Sequence, residues 1–145
     1  MRTLLLLLVM AIAAPSLAQP NLLDGLKREA VITFQRTTMG GQVTVLFYAD
    51  GRLKVHSYHA DTVTEGRCDT AKVLRIARLA KAINFTQSYT HHGSIVPDAW
   101  EHIGYEVNAP ANIAPDSAGA VGLTSSDIID EIRKLCRFPG QKPKK

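Results

Sequence analysis

The chain has 145 residues, 46% of them hydrophobic, with two cysteines and a formal net charge of +4. This length accommodates one ordinary domain with a single hydrophobic core. Three of the positive charges are Lys142, Lys144 and Lys145. The globular part is therefore close to neutral, and nucleic-acid binding is not expected. No second long apolar run follows the first one, so no membrane span is expected.

The first eighteen residues have the three parts of a secretory signal peptide. Arg2 gives a positive start, residues 4–14 are an unbroken apolar run, and Ser16 and Ala18 occupy the positions that a signal peptidase reads. The apolar run is about half of the roughly 20 residues that a membrane-spanning helix needs. We therefore expect cleavage before Gln19 and export to the periplasm or the medium. No lipid anchor is expected, because the residue after the cleavage site is not a cysteine.

Three strands are predicted next, after a lead-in with one helical turn around 22–26. They cover residues 30–35, 42–49 and 52–58, where side chains follow a period of two. Residues 62–65 are an optional short fourth strand. Both faces of the second strand are largely apolar, which places it centrally in the sheet. Asp50-Gly51 predicts a type I′ hairpin turn, which needs positive φ at both central positions. The side chains of the third strand that are predicted to face solvent are Arg52, Lys54 and His56.

Two amphipathic helices are predicted in the second half of the chain. Asp69 can cap a helix over 70–84. Thr124 or Ser125 can cap another helix that ends at Cys136 and has acidic residues in its first half and basic residues near its end, as the helix dipole favours. The solvated face of the first helix carries four basic residues, Lys72, Arg75, Arg78 and Lys81.

The remaining segments complete a two-layer domain. Residues 85–97 are predicted to form a loop, 99–109 a strand, and 118–123 a short strand weakened by two glycines. The element order is β-β-β-(β)-α-β-β-α. It predicts an α+β fold, with an antiparallel sheet of four to five strands and two helices packed on one face. This single domain is expected to cover residues 19–138, and residues 139–145 are predicted to be a disordered basic tail.

Cys68 and Cys136 are predicted to form a disulfide. Cys68 precedes the first predicted helix and Cys136 lies in the last turn of the second, so two neighbouring antiparallel helices would bring them together. An exported chain meets an oxidising compartment, and an even cysteine count favours pairing. Such a bond would contribute roughly 4 kcal/mol on the chain-entropy model. Two free thiols are the alternative.

Residues 86–100 are the strongest candidate for a recognition loop. They include Tyr89, His91, His92 and Trp100. Exposed aromatic loops on a rigid sheet are common recognition surfaces. The alternative is that Trp100 only closes one end of the core. The basic helix face is a second lead, because it can meet an acidic partner, although such a face is more often only solvated.

No catalytic or cofactor motif is found, so neither an enzyme activity nor a cofactor is expected. The chain has no Gly-x-Ser-x-Gly motif. No metal site is predicted either, because the histidines lack the convergent spacing of zinc ligands. Asn84 begins an N-glycosylation sequon, which matters only in a host with that machinery. The five histidines are His56, His59, His91, His92 and His102.

About half of the mature chain resembles small exported bacterial domains of unknown function. The matching pieces are "VITFQRTTMGG", "VTVLFYADGRL" and "LRIARLAKAINF". They give a strand, a glycine-containing turn, a strand running into Asp-Gly, and a helix ending in an apolar-Asn-Phe stretch. The arrangement is also similar to the emfourin-type inhibitors of thermolysin-like metallopeptidases. These resemblances concern topology, and no functional residue is carried over from them.

The sequence therefore predicts an exported, disulfide-stabilised, non-enzymatic binding or accessory domain of the cell envelope. Another exported protein is the expected partner. The first alternative is an inhibitor of a secreted or periplasmic peptidase. The second is a small hydrolase or metal-binding protein that uses the loop histidines.

Overall fold

The computed structural model of the protein describes residues 22–93 and 100–136. The predicted signal peptide 1–18 and basic tail 139–145 lie outside the described residues. Within them the chain forms three helices and six strands. In chain order these are α1 (Leu22–Glu29), β1 (Ile32–Thr38), β2 (Gly41–Phe47), β3 (Arg52–Ser57), β4 (Thr62–Arg67), α2 (Thr70–Ala82), β5 (Gln87–His92), β6 (Glu101–Val107) and α3 (Ser125–Leu135).

The six strands form one open antiparallel sheet in the order β4-β3-β2-β1-β6-β5. The α+β class is confirmed, but the sheet has one strand more than the four to five predicted. The additional strand is β5, because Gln87–His92 pairs with β6 where the sequence predicted a loop. Residues 118–123 form turns and not the predicted short strand.

Helices α2 and α3 contact each other and pack on one face of the sheet. Asp69 caps α2 as predicted, since its carboxylate accepts from the N–H groups of Ala71 at 3.0 Å and Lys72 at 3.3 Å. Thr124 caps α3 together with Asp127 in a capping box. Buried residues of this core include Ile32, Val45, Phe47, Tyr105 and Val107 from the sheet, and Val73, Ile76, Ala77, Leu79, Ala80, Ile128 and Ile132 from the helices.

Helix α1 covers part of the opposite face of the sheet, which the predicted two-layer arrangement left open. Leu23 packs there against Leu46 and Tyr48, and the Tyr48 hydroxyl donates to the Leu26 carbonyl at 3.0 Å. The apolar residues on both faces of β2 therefore require helices on both sides. His56 also lies on this face, opposite Thr44, and is only 2% exposed. The prediction that its side chain faces solvent was wrong.

The turn between β2 and β3 differs in type from the prediction. The Tyr48 N–H donates to the Arg52 carbonyl at 3.0 Å, and the Gly51 N–H donates to the Tyr48 carbonyl at 3.1 Å. Gly51 has a φ of +83°, whereas the φ of Asp50 is not positive. This is a three-residue loop, with a type I turn followed by a left-handed glycine. The hairpin is confirmed and the type I′ turn is not.

Cys68 and Cys136 are not at disulfide distance, so the predicted bond is wrong. The Cys68 thiol lies 3.6 Å from the Arg52 carbonyl at the start of β3, whereas Cys136 packs against the core at the end of α3. A groove of about 330 Å³, lined by both Cys68 and Leu135, lies beside these positions. The two helices are neighbours as the prediction required, but this does not bring the thiols into bonding geometry.

Candidate functional site

The predicted recognition segment contains an edge strand. Ser88 and Thr90 of β5 lie opposite Tyr105 and Ile103 of β6, which contribute to the core beneath α2 and α3. Because successive side chains of a strand point to opposite faces, Tyr89 and His91 lie on the other face of the sheet. His92 lies on the same face as Ser88 and Thr90. Residues 94–99 of the predicted loop lie outside the described residues.

Four rings follow one another across the ends of β5 and β6. Tyr89 stacks on His102, with centroids 5.7 Å apart and planes 26° apart. His102 contacts His91 at 6.2 Å, and His91 stacks on Trp100 at 6.4 Å. The Trp100 indole N–H donates to the sulfur of Met39 in the turn between β1 and β2. We call Tyr89, His102, His91 and Trp100 the ring ladder.

Gly104 makes room for the first ring of the ladder. It lies opposite Tyr89 on β6. A Cβ atom at this position would lie 2.9 Å from the Tyr89 Cε1 atom and 3.0 Å from its Cδ1 atom. The tyrosine ring therefore lies over the neighbouring strand in space that any residue larger than glycine would partly fill.

Tyr89 and His91 of the ring ladder are exposed, and Trp100 and His102 are partly exposed. Lys27 and Glu106 lie at its Tyr89 end. Tyr89 is 56% and Met39 57% exposed. Thr37 of β1 lies opposite His102, and Gln35 lies opposite Gly104. Apolar and aromatic surface of this kind, gathered at one end of a rigid sheet, is typical of recognition sites.

The outer side of β5 has backbone groups without a neighbouring strand among the described residues. The Val107 N–H donates to the Thr86 carbonyl at 2.8 Å, which makes these two residues a hydrogen-bonded pair. Hydrogen-bonded and non-hydrogen-bonded pairs alternate along an antiparallel ladder. The N–H and C=O groups of Gln87, Tyr89 and His91 therefore point away from β6.

The two edges of the sheet differ in charge. The β4 edge carries Glu65 and Arg67, and charged side chains on an edge discourage pairing with another strand. The β5 edge has the sequence QSYTHH and no acidic residue, lysine or arginine. Of the two edges, β5 is therefore the one open to an added strand.

The basic face of α2 is a weaker candidate than the ring ladder, because three of its four cations have partners within the chain. Lys72 lies 3.9 Å from Asp69, and Arg75 lies 3.8 Å from Glu131. The Lys81 ammonium donates to three backbone carbonyls at distances of 2.7, 3.3 and 3.4 Å. These contacts engage the charges that an acidic partner would need.

The structure thus brings together three of the four predicted recognition residues, Tyr89, His91 and Trp100, and leaves His92 on the other face. Sequence reasoning missed His102, although it had placed this residue on a strand, because it treated the facing segment as a loop. Asn84, the sequon residue, is exposed and lies two residues after the end of α2, with a φ of +56°. The Phe85 N–H that follows it donates to the Ala80 carbonyl at 2.8 Å.

No protein-family model matches this chain, and comparison with curated proteins and with solved structures gives no match. Among residues 22–93 and 100–136, no helix is long and apolar enough to cross a membrane. The same residues hold no cluster of three or more histidine, cysteine or acidic side chains that could bind a metal ion.

Proposed function

We propose that this protein is an exported, non-enzymatic binding module that takes up an extended segment of another exported protein along the β5 edge. The observation that carries the proposal is that the uncharged β5 edge, which has no neighbouring strand among the described residues, coincides with the ring ladder. Backbone hydrogen bonds to β5 would supply affinity, and the ladder beside them would select side chains of the added strand. The helices and the rest of the sheet hold this edge in place.

The chemistry of the edge fits strand addition. The outward N–H and C=O groups of Tyr89 and His91 repeat at the spacing of a partner strand's backbone. The rings of the same two residues lie on one face of the sheet, and alternate side chains of an added strand would lie on that face beside them. Tyrosine and tryptophan give large contact areas at a low cost in conformational entropy.

Capture of envelope and secreted proteins on the immobilised mature chain, with quantitative mass spectrometry, tests this function. We expect one or a few partners to be lost with Tyr89→Ala combined with His91→Ala, and also with Gln87→Pro. The matched control, Arg75→Ala combined with Arg78→Ala, changes the basic helix face and should retain them. Loss of the partners in the control, with retention in the other variants, would contradict the proposal.

Gln87→Pro is a sharp test of backbone pairing. The Gln87 N–H points to the open edge, so proline removes a donor to the partner without removing a β5–β6 hydrogen bond. Ser88→Pro is its counterpart, because the N–H of Ser88 points towards β6 and its loss should weaken the fold itself. In the complex, amide hydrogen exchange should slow at Tyr89 and His91. If the captured partner is a peptidase that loses activity on binding, the inhibitor alternative gains support.

A further inference from the structure

We infer that His91 and His102 form a two-imidazole site for a divalent transition-metal ion, with Cu²⁺ as the preferred ion. The two residues lie directly opposite each other on β5 and β6, with ring centroids 6.2 Å apart. This site does not rest on the proposed function, since it needs no protein partner.

The position of the pair in the sheet favours chelation. His91 and His102 form a non-hydrogen-bonded pair, like Tyr89 and Gly104 two residues earlier on β5. The Cα atoms of such pairs are about 4.5 Å apart and their side chains lie closer than in hydrogen-bonded pairs. With metal–nitrogen bonds of about 2.0–2.1 Å, two imidazoles can share an ion when their centroids are roughly 5 to 6 Å apart. A small rotation of these accessible rings reaches that range.

The surroundings restrict the motion of both rings. Tyr89 stacks against His102, and Trp100 stacks against His91, so the pair lies between two aromatic side chains. Imidazole rings that are already stacked between other rings lose less rotational freedom on binding an ion than freely rotating imidazole rings do. His92 cannot join the site, because strand alternation places it on the opposite face.

The donor set indicates the class of ion. Imidazole nitrogen suits Cu²⁺, Ni²⁺ and Zn²⁺, and divalent copper is bound most tightly by a given set of nitrogen and oxygen ligands. Two protein ligands leave the remaining positions to water, and a tetragonal nitrogen and oxygen set is typical of Cu²⁺. The site would therefore bind and release the ion by ligand exchange and would not enclose it.

The single tryptophan of the chain makes binding directly visible. Trp100 is stacked on His91, so a paramagnetic Cu²⁺ ion on the pair should quench its fluorescence. We expect CuCl₂ to quench the untagged mature protein with one strong equivalent, and electron paramagnetic resonance to show two imidazole nitrogens. A large excess of ZnCl₂ should compete with CuCl₂ for the same site and reverse the quenching.

Variants separate this pair from other copper-binding groups, such as the terminal amine, that all forms share. His91→Ala and His102→Ala should each weaken binding by at least about tenfold. His92→Ala, adjacent in sequence but on the other face, should leave the affinity and the spectrum unchanged. Circular dichroism confirms that each variant is folded. The proposal would be overturned if all three variants bound Cu²⁺ with the same affinity. It would also be overturned if the electron paramagnetic resonance spectrum of the unchanged protein with Cu²⁺ showed no pair of imidazole nitrogens.

Discussion

Replacing Gly51 should destabilise the domain for two separate reasons, the left-handed backbone of this residue and the lack of space for a side chain. Gly51 has a φ of +83°, and a Cβ atom there would lie 2.7 Å from the Thr70 hydroxyl oxygen and 3.4 Å from the Cys68 carbonyl oxygen. The left-handed backbone costs an L-residue about 1–2 kcal/mol. Overpacking costs roughly 1–3 kcal/mol, and the close approach at Gly51 should add part of this cost. A residue other than glycine also lowers the conformational entropy of the unfolded chain, which offsets about 0.4–1 kcal/mol of the loss in stability.

Gly51→Ala should therefore lower the free energy of unfolding by about 2 kcal/mol, and Gly51→Val by more, because a β-branched residue fits this region poorly. Two further variants separate the causes. Gly51→Asn keeps the Cβ atom but tolerates the left-handed backbone. Thr70→Ala removes the hydroxyl that the Cβ atom would meet, so Gly51→Ala should cost less in that background.

Urea unfolding followed by tryptophan fluorescence and circular dichroism measures these differences. If Gly51→Val leaves the free energy of unfolding unchanged, Gly51 does not have positive φ and the turn lies elsewhere. If Thr70→Ala does not reduce the cost of Gly51→Ala, the contact between the two positions is absent and only the backbone cost remains.

Two further predictions concern the core. Arg133→Leu should cost about 1–3 kcal/mol of unfolding free energy in urea titrations, because the buried Tyr105 hydroxyl loses the guanidinium that donates to it at 2.9 Å. Burial raises the pKa of Cys136 from 9.0 to about 12. Its thiol should therefore alkylate more slowly than Cys68 at pH 8 without reductant, and stability should fall as pH rises above 9.0, since the unfolded thiol ionises first.

Most of the fold follows from patterns within the chain. Alternation in β1 to β3 and the caps at Asp69 and Thr124 are local signals, and the structure contains the elements they predict. Strand β5 carries no such signal. An edge strand with polar residues on both faces has no apolar period, and pairing with β6 is what orders it. The eight residues of α1 were predicted as a single turn, because its stability comes from packing on Leu46 and Tyr48.

The candidate site was only partly predictable for the same reason. Composition alone identified Tyr89, His91 and Trp100 as a cluster of aromatic residues. Composition could not separate His91 from the adjacent His92. Only the alternation of side chains along β5, a strand that was not predicted, places His91 beside Tyr89 and His92 on the other face. The disulfide prediction failed differently. Helix order correctly indicated neighbouring helices, but a disulfide requires Cα atoms within about 7 Å, and no sequence pattern fixes that distance.

The ring ladder depends on the register between β5 and β6. A shift by one residue would turn Tyr89 and His91 towards the helices and bring Ser88 and Thr90 to the open face. The β6 sequence opposes this shift, because Gly104 is the position that admits the Tyr89 ring, whereas Tyr105 beside it is buried in the core. The same register points the Tyr89 and His91 backbone outwards and sets His91 opposite His102. The proposed peptide-binding edge and the proposed metal-binding histidine pair therefore depend on the same pairing of two strands.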